Sequence, residues 1–586
     1  MNEKSIVKNA IPKKFILNSS TMIYTSREVY EFISRQTNDP IIERKTCAVS
    51  GTQFPIFQSD LDFYAKISPT FAGQKFQIPT PTLCPEERQR RRLSFRNERK
   101  LYRRQCDASK KSIISIYSPD KPYKVYDQKI RWSDAWDPME YGMDFDFSKT
   151  FTEQFRELML KVPFMNIMND NGINSINSEY CNNFSYWKNC YMIHTSWHGE
   201  DSLYCSSCQH ITDIIDSDGM WYTTNCYSCI DCNKIQNCFY LENSDDCSYC
   251  SYWNNLKGCN YCFWCTNLIN QSYCILNQSY SQEEYNTIIK KSKNDIITQY
   301  IQLKQKDYQK SMSINNSNNC CGAGIFDSSN ILLWFNIYRW KDCKYYFWWS
   351  DSPRSSYDIT VWWDHDYGYE SIVPDFSYNS LFTVYCWKCR YIYYSFDCHD
   401  SSNLFWCIGL RNKQYCIFNK QYIKEEYEEL VWKINRHMMS TGERGEFFHP
   451  SLSPFWYNET VAQEYYPIPH PDPLPTAPAT PPLGEGELRS FGYHRSTYNA
   501  DPSIPEWVQT IARKNYNDEQ RDSLLQEDNL ETKVFLCSVS ARPYRLQKAE
   551  IEFYRKHQLP IPDKHPDIRH EERMKLRPAK VGLIFA

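Results

Sequence analysis

Cysteine is the residue type in this chain that supports the widest range of chemistry. The sequence contains 26 cysteines in 586 residues. A cysteine thiolate ligates zinc or attacks a disulfide, whereas a thiol in a core packs as a small hydrophobe. Fourteen of the cysteines lie between Cys181 and Cys274, and every gap between successive ones is a multiple of three residues. This spacing indicates that all fourteen occupy one inward-facing position of a repeating structure.

Metal binding, disulfide formation and packing are alternative roles for these cysteines. The pairs Cys247/Cys250 and Cys259/Cys262 have the C-x-x-C spacing of zinc ligands, and two such pairs on neighbouring coils would surround one zinc. However, the same frame of three also contains Ile, Leu, Met and Trp residues, which cannot ligate a metal. We therefore predict a stacked internal ladder of cysteines, with zinc and disulfides as the alternatives.

The period of three residues predicts the fold that positions the cysteines. It matches neither the 3.6-residue period of a helix nor the two-residue period of a strand. Two longer spacings recur among the cysteines. The step from Cys190 to Cys208 equals that from Cys208 to Cys226, whereas the step from Cys205 to Cys226 is three positions longer. Both spacings suit a β-solenoid, in which equivalent residues stack from coil to coil, and the sequence does not choose between them.

The solenoid pattern occurs twice. Five cysteines from Cys386 to Cys416 share a second frame of three. The two blocks end in similar sequences, and the offset between these endings is the one that separates Cys274 from Cys416. Each ending is followed by a charged run that favours a helix, at residues 281–306 and 424–439. We predict two solenoid blocks, each with a capping helix.

A second duplication joins the two ends of the chain. Each copy has a C-x-x-S knuckle, an acidic residue before Phe-Tyr, a Pro-x-Pro segment and a Cys-Pro or His-Pro followed by two arginines. A structural zinc needs four thiolate or imidazole ligands. The copies offer only Cys47 and Cys84, or Cys537 and His565. We predict degenerate zinc ribbons that have lost the metal, and so no cofactor; zinc completed by another chain is the alternative.

One strongly basic stretch suggests a nucleic-acid interface. Residues 86–104 hold nine Lys or Arg against three Glu, although the whole chain is nearly neutral, with 67 basic and 70 acidic residues. Such a helix neutralises phosphates, and Phe95 and Tyr102 would stack on bases. The alternative is a solvated helix paired with the acidic residues 134–146. The candidate phosphate-binding residues are Arg88, Arg91, Arg92, Arg96, Arg99, Lys100, Arg103 and Arg104.

Together these motifs resemble a known family. The chain resembles the large uncharacterised zinc-ribbon proteins, rich in Cys and Tyr, of very small host-dependent bacteria and environmental genomes. The resemblance covers most of residues 44–465 and 530–580, and it implies an architecture without an assigned activity. In that family the knuckles are commonly C-x-x-C, whereas Ser50, Glu87 and Ser109 occupy the second-ligand positions here. The shared motifs also include Arg96-Asn97, Leu101-Tyr102, Trp132-Ser-Asp134, Asp144-Phe-Asp146 and the Tyr-Cys endings of both blocks.

The sequence favours a non-enzymatic structural or interaction protein. The carboxylates Asp134, Asp137, Asp144 and Asp146 lack a nearby histidine for acid–base catalysis. We expect a mainly β protein with some α and no membrane span. Other proteins of an assembly are the expected partners, and nucleic acid is the alternative partner. Since no secretory signal is evident, we expect an intracellular, cytoplasmic location. The predicted segments are a tail (1–43), degenerate ribbons with the basic helix (44–147), an amphipathic helix and first solenoid block (148–310), a second block (311–465), a Pro-rich linker (466–486) and a C-terminal ribbon (487–586).

Overall fold

A computed structural model describes two compact units. One unit contains the first solenoid (residues 176–275) and the C-terminal module (residues 534–574). The other contains the N-terminal module (residues 41–93) and the second solenoid (residues 314–417). The described residues are 24–168, 175–291, 314–315, 317–338, 341–350, 353–362, 364–467, 491–495, 508, 510–513, 520 and 523–576.

The N-terminal module is a tight hairpin followed by two helices. Strands β1 and β2 pair antiparallel, and the turn between them contains Cys47. A helix precedes the hairpin inside the predicted tail, because Ser26 caps it and Val29, Tyr30 and Ile33 are buried. The elements are α1 (Arg27–Thr37), β1 (Ile41–Thr46), β2 (Gln53–Phe57), α2 (Gln58–Ile67), β3 (Thr70–Phe71), β4 (Gln74–Lys75) and α3 (Pro85–Leu93).

A connecting segment links this module to the first solenoid. It contains the predicted amphipathic helix, which begins after Thr150 rather than after Ser148, because Thr150 and Glu153 form a capping box. Its elements are β5 (Tyr102–Gln105), β6 (Ser112–Ser115), β7 (Val125–Tyr126), α4 (Gln128–Trp132), a 3-10 turn (Pro138–Tyr141), α5 (Phe151–Lys161) and β8 (Phe164–Met165).

The first solenoid is built from parallel strands that pair in chain order. Its end is a short antiparallel hairpin, and a helix follows the hairpin. The elements are β9 (Asn182–Lys188), β10 (His194–Glu200), β11 (Gln209–Ile215), β12 (Asp218–Tyr227), β13 (Ile230–Asn233), β14 (Phe239–Glu242), β15 (Ser251–Asn254), β16 (Cys274–Ile275), β17 (Gln278–Ser279) and α6 (Gln282–Lys291).

The second solenoid repeats this plan, and a longer helix follows it. The elements are β18 (Ile314–Asn315), β19 (Asn318–Phe326), β20 (Ser329–Tyr338), β21 (Lys341–Lys344), β22 (Phe347–Ser350), β23 (Arg354–Trp362), β24 (Tyr369–Ile372), β25 (Tyr378–Leu381), β26 (Arg390–Tyr393), β27 (Ser402–Phe405), β28 (Gln414–Ile417), β29 (Lys420–Gln421) and α7 (Lys424–Thr441). Two 3-10 turns and α8 (Val461–Tyr465) come after it, at Pro450–Leu452 and Tyr457–Glu459.

The C-terminal module has the same order of elements as the N-terminal one. A strand pair with a knuckle turn leads to a first helix, and a second helix begins at a proline. The elements are β30 (Thr510–Ala512), a 3-10 turn (Leu530–Thr532), β31 (Val534–Leu536), β32 (Pro543–Tyr544), α9 (Lys548–His557) and α10 (Pro566–Met574).

The solenoid coil is twelve residues long and has four sides of three residues. Ile211 pairs with Thr223, and Ile392 pairs with Leu404, each twelve positions away. Nearly every third residue turns a corner in the left-handed conformation, as in Asn189 with φ 56°. Among the described strands, registers one position shorter or longer than twelve occur only in the first half of the second solenoid, between residues 314 and 360. The two longer cysteine spacings therefore join different sides of the coil instead of marking its length.

The inward position of each side explains the cysteine content. Cys229 Sγ donates to the carbonyl of Tyr227 on its own coil (3.4 Å) and to that of Cys238 on the next coil (3.5 Å). Ser371 in the second solenoid makes the equivalent bonds with Oγ. A small side chain with one donor thus satisfies carbonyls that point into the core, where an unpaired polar group is costly. The interior is a ladder of thiols and hydroxyls among aliphatic residues.

An asparagine closes the last coil of each solenoid. The Asn419 side chain accepts from the Ile408 amide N–H (2.8 Å) and donates to the Ile408 carbonyl (2.8 Å). Asn277 makes the same pair of bonds with Thr266, at 2.9 Å each. The side-chain amide replaces the backbone of a further coil, so the exposed edge ends in satisfied hydrogen bonds.

The predicted fold class is confirmed in its main features. The protein is mainly β, with 31% strand and 25% helix, and its solenoid coils number about 15 in all. The duplicated endings and both following helices are also present, although residues 292–306 of the first predicted helix lie outside the described residues. So do most of the predicted Pro-rich linker and residues 1–23 of the predicted tail. The ribbon character of the two modules stays a prediction.

Candidate functional site

The first half of the basic stretch forms helix α3, which packs against the second solenoid. Arg88 and Arg92 are fully buried, and both donate to Asp358, at 2.9 Å from Arg88 Nε and 3.0 Å from Arg92 Nη1. Asp358 is itself buried at a left-handed corner of the coil. Because α3 lies across strand β23, its arginines meet a carboxylate that is about 270 positions away in the sequence.

The other predicted phosphate-binding residues differ in exposure. Arg91 donates to Glu370 (2.7 Å) and to Glu446 (2.8 Å), and burial raises the pKa of Glu370 in spite of the neighbouring guanidinium groups. Arg96 is buried against Glu98 (2.6 Å). Arg99, Lys100 and Arg104 are half-buried and Arg103 is exposed. The structure thus brings four of the eight arginines and lysines into buried ion pairs, and nucleic-acid binding by the set stays a prediction.

The C-terminal module docks on the first solenoid in the same way. Arg573 Nε donates to Asp218 (2.7 Å) and Arg573 Nη1 to Asp216 (2.9 Å), while Arg569 donates to Glu550 (3.0 Å) and also pairs with Asp216. Asp216 and Asp358 are separated by the same offset that relates the endings of the two solenoids. The same docking therefore occurs in both units.

Aromatic contacts show that the two interfaces are equivalent in detail. Tyr64 of helix α2 lies 5.3 Å from Tyr369, and Tyr554 of helix α9 lies 5.7 Å from Tyr227, measured between ring centroids. Tyr227 and Tyr369 are again related by the offset between the two solenoids. Sequence reasoning found the paired arginines of both modules as landmarks but not their shared role, because the carboxylate partners follow no local pattern.

The predicted zinc ligands form thiol sites with fewer than four ligands. Cys47 and Cys84 are buried and hydrogen-bonded to each other, and this bond lowers the pKa of Cys47 to about 5. Ser50 Oγ is 3.8 Å from Cys84 Sγ. Glu87, at the fourth position, accepts instead from Tyr24 (2.9 Å) and Arg90 (3.2 Å).

The C-terminal thiol site is smaller still. Cys537 Sγ accepts from the Ser540 amide (3.4 Å), and the His565 ring caps helix α10 by accepting from the Asp567 amide (3.1 Å). The Cys106 knuckle has the same Ser109 contact at 3.4 Å. Within the described ranges, no group of three or more His, Cys, Asp or Glu side chains is arranged to hold a metal ion.

The C-x-x-C pairs of the first solenoid lie on neighbouring coils, as the spacing predicts. Cys247 and Cys250 stack on Cys259 and Cys262, and all four are buried. Their thiols donate to backbone carbonyls, for example Cys250 Sγ to Cys259 O at 3.5 Å. The side chains therefore have a packing role that does not depend on an ion.

Exposed aromatic columns run along two corners of the first solenoid. Tyr186, His198, His210 and Tyr222 recur every twelve residues, and their rings stack with centroids 4.6, 4.7 and 4.9 Å apart. Tyr249, Tyr261 and Tyr273 form a second column, with spacings of 4.8 and 5.1 Å. Tyr222 is 59% exposed and Tyr249 48%. Once the coil length is known, these columns can be read directly from the sequence.

Comparisons with known proteins identify no relatives. No protein family, no curated protein and no solved structure matches the chain. Among the residues described, no helix has both the length and the apolar character needed to cross a bilayer.

Proposed function

We propose that this protein is a non-enzymatic scaffold that binds other proteins through the aromatic columns of its first solenoid. The observation that carries the proposal is the pair of exposed columns, Tyr186–Tyr222 and Tyr249–Tyr273, each with rings stacked at the coil repeat. Tyrosine supplies a large contact area at little cost in conformational entropy, and it is enriched at interface hot spots.

The framework beneath the columns supports this role. Thiol and hydroxyl bonds link successive coils, and in each unit a helix with two buried arginines fastens a module to its solenoid. Stacked rings on such a framework lose little further freedom when they bind, so they are pre-organised. We also infer that the two modules descend from zinc ribbons, since in both knuckles the fourth residue, Ser50 or Ser540, contacts the cysteine.

The proposal is tested by removing the columns without changing the coil. Tyr186, Tyr222, Tyr249 and Tyr261 all have φ between 49° and 63°. Asparagine tolerates this conformation, so a quadruple Tyr→Asn variant keeps the corners. The tagged wild-type chain, isolated from native extracts, is expected to carry a stoichiometric protein partner. The variant is expected to bind that purified partner at least tenfold more weakly.

A matched variant separates the aromatic columns from general surface effects. Lys188 and Glu200 form an exposed ion pair two residues from Tyr186 and His198, so Lys188→Ala with Glu200→Ala changes the charge of the neighbouring surface and keeps every ring. This double variant is expected to keep full affinity for the partner. Recovery of the wild-type chain without any stoichiometric partner, or equal loss of affinity in both variants, would contradict the proposal.

A further inference from the structure

A cavity of about 260 Å³ opens in the unit that contains the second solenoid. Three segments surround it: the loop after β6, the chain around the 3-10 turns at residues 450–457, and residues 492–494. Gly492 brings the last segment close, because a side chain at this position would meet His449 at 2.6 Å. Ser94 is the one residue of the basic stretch among those that line the cavity.

Lys121 places an ammonium group at this cavity. Its Nζ lies 3.6 Å from the centroid of the Trp456 ring, and Trp456 Nε1 donates to Asp120 (3.1 Å), which fixes the indole. In the described part of the chain no acceptor lies within hydrogen-bond distance of Lys121 Nζ. Burial lowers the pKa of Lys121 to about 8, so the amine is still mostly protonated at neutral pH. A partly buried ammonium group with three donors to spare fits an anionic acceptor.

Arg156 supplies a second cation on the cavity wall. Its Nη2 donates to the Ser451 carbonyl (3.2 Å) and hydroxyl (2.8 Å), which holds the guanidinium in place. The nearby carboxylates are already engaged: Asp120 accepts from Trp456 and from Ser118, and Glu459 accepts from Tyr102 Oη (2.8 Å). Asp120 and Glu459 also act on the Lys121 ammonium electrostatically and partly offset the effect of its burial, so the cavity combines two cations with one lining carboxylate, Asp120.

The remaining wall is aromatic. Tyr123, Phe455, Trp456 and Tyr493 line the cavity together with His494. Ring faces and edges beside fixed cations suit a flat apolar body that carries one anionic group.

We propose that this cavity binds a small organic anion, with its phosphate or carboxylate group between Lys121 and Arg156 and its planar ring against the aromatic wall. A bidentate guanidinium contact and an ammonium contact are the recurrent means of holding such groups. This inference goes beyond the scaffold function and does not depend on it, because the cavity and the aromatic columns lie in different units.

The test uses the full-length chain and isothermal titration calorimetry with two anionic probes and their neutral counterparts. AMP is compared with adenosine, and benzoate with benzamide. We expect at least one anion to bind with a Kd below about 1 mM and its neutral counterpart to bind at least tenfold more weakly, since charge-assisted hydrogen bonds to the anionic group are lost. The variants Lys121→Met and Arg156→Gln should each weaken the binding of that anion about tenfold.

Two controls keep the test decisive. Lys149→Met removes an exposed cation of the same unit whose partner is Glu157, and it should leave the affinity unchanged. Thermal unfolding and circular dichroism of each variant show whether the fold is kept. The proposal is overturned if neither anion reaches a Kd below about 1 mM, if the neutral counterparts bind equally well, if inorganic phosphate binds as tightly as AMP, or if folded Lys121→Met binds as the wild type does.

Discussion

The strongest prediction concerns the buried carboxylate that fastens the N-terminal module. In the variant Asp358→Ala, Arg88 and Arg92 both lose their closest carboxylate, and both guanidinium groups stay buried. Removing one partner of a buried ion pair costs about 3–5 kcal/mol, because a charge is left without compensation. Glu370 lies 3.6 Å from Arg92 and offsets part of this loss for one arginine only. We expect the free energy of unfolding of this unit to fall by about 3–5 kcal/mol.

The C-terminal module offers a matched variant with a smaller expected effect. In Asp216→Ala, Arg569 still pairs with Glu550 (3.0 Å) and Arg573 with Asp218 (2.7 Å). Because both guanidinium groups keep a carboxylate, we expect a loss of only about 1–3 kcal/mol, the usual range for one bond to a charged group.

Urea unfolding followed by hydrogen exchange measures the two units separately. Amides of residues 85–93 report on the N-terminal module, and amides of residues 566–574 report on the C-terminal one. Asp358→Ala should reduce protection in the first segment and leave the second unchanged. A loss below about 1 kcal/mol, which is the range of exposed ion pairs, would refute the view that this carboxylate fastens the helix.

Three further predictions concern the core, the coil end and acid stability. Gly199→Ala places a Cβ 2.0 Å from the buried Trp187 ring, so it should destabilise the first solenoid by about 1–3 kcal/mol in urea unfolding. The same substitution should cost less in a Trp187→Leu background, and an equal cost in both backgrounds would contradict the clash. Asn419→Ala removes both hydrogen bonds to Ile408 that close the second solenoid, so it should destabilise the last coil by about 1–3 kcal/mol and speed amide exchange there. Unchanged exchange would contradict the capping role. Burial alone would raise the pKa of Asp397, but Arg131 (2.6 Å) and a histidine contact lower it. The ionised Asp397 therefore stabilises the fold above the unfolded pKa of about 3.9, and this stabilisation is lost as the pH falls below that value. Asp397→Asn should therefore flatten the stability curve between about pH 4 and pH 2, and an unchanged curve would contradict this assignment.

The solenoid could be predicted from the sequence because one residue in three faces inward. Cys181 and Cys274 occupy this inward position, and so do Ile214 and Leu241, which share their frame of three. The coil length could not be predicted, because every side of the coil is three residues long and a step of three looks the same within a coil and between coils. The corner columns carry the twelve-residue repeat, but they mix Asn, Asp, Tyr and His, all of which tolerate or adopt the left-handed conformation here.

The role of helix α3 could not be predicted, because the carboxylates that its arginines bind are far away in the sequence. Local sequence shows only that residues 86–104 are basic. Asp358 and Glu370 lie at least 266 positions from the arginines that they bind, and each stands in a segment that looks like any other solenoid coil. The hydrogen bonds of the thiols are also absent from the sequence pattern: it indicates only a small hydrophobe, whereas the coil geometry gives most solenoid S–H groups a carbonyl acceptor, such as Tyr227 O for Cys229.

The most direct test of the account is a joint measurement of metal and thiols on natively purified protein. We infer that all 26 cysteines are reduced and that those of the solenoids pack and donate hydrogen bonds. Elemental analysis should then find less than one zinc per chain, and thiol titration after denaturation under anaerobic conditions should return all 26 thiols. One or more zinc ions per chain, or thiols missing as disulfides, would contradict the packing role and would favour the alternatives that the C-x-x-C spacing left open.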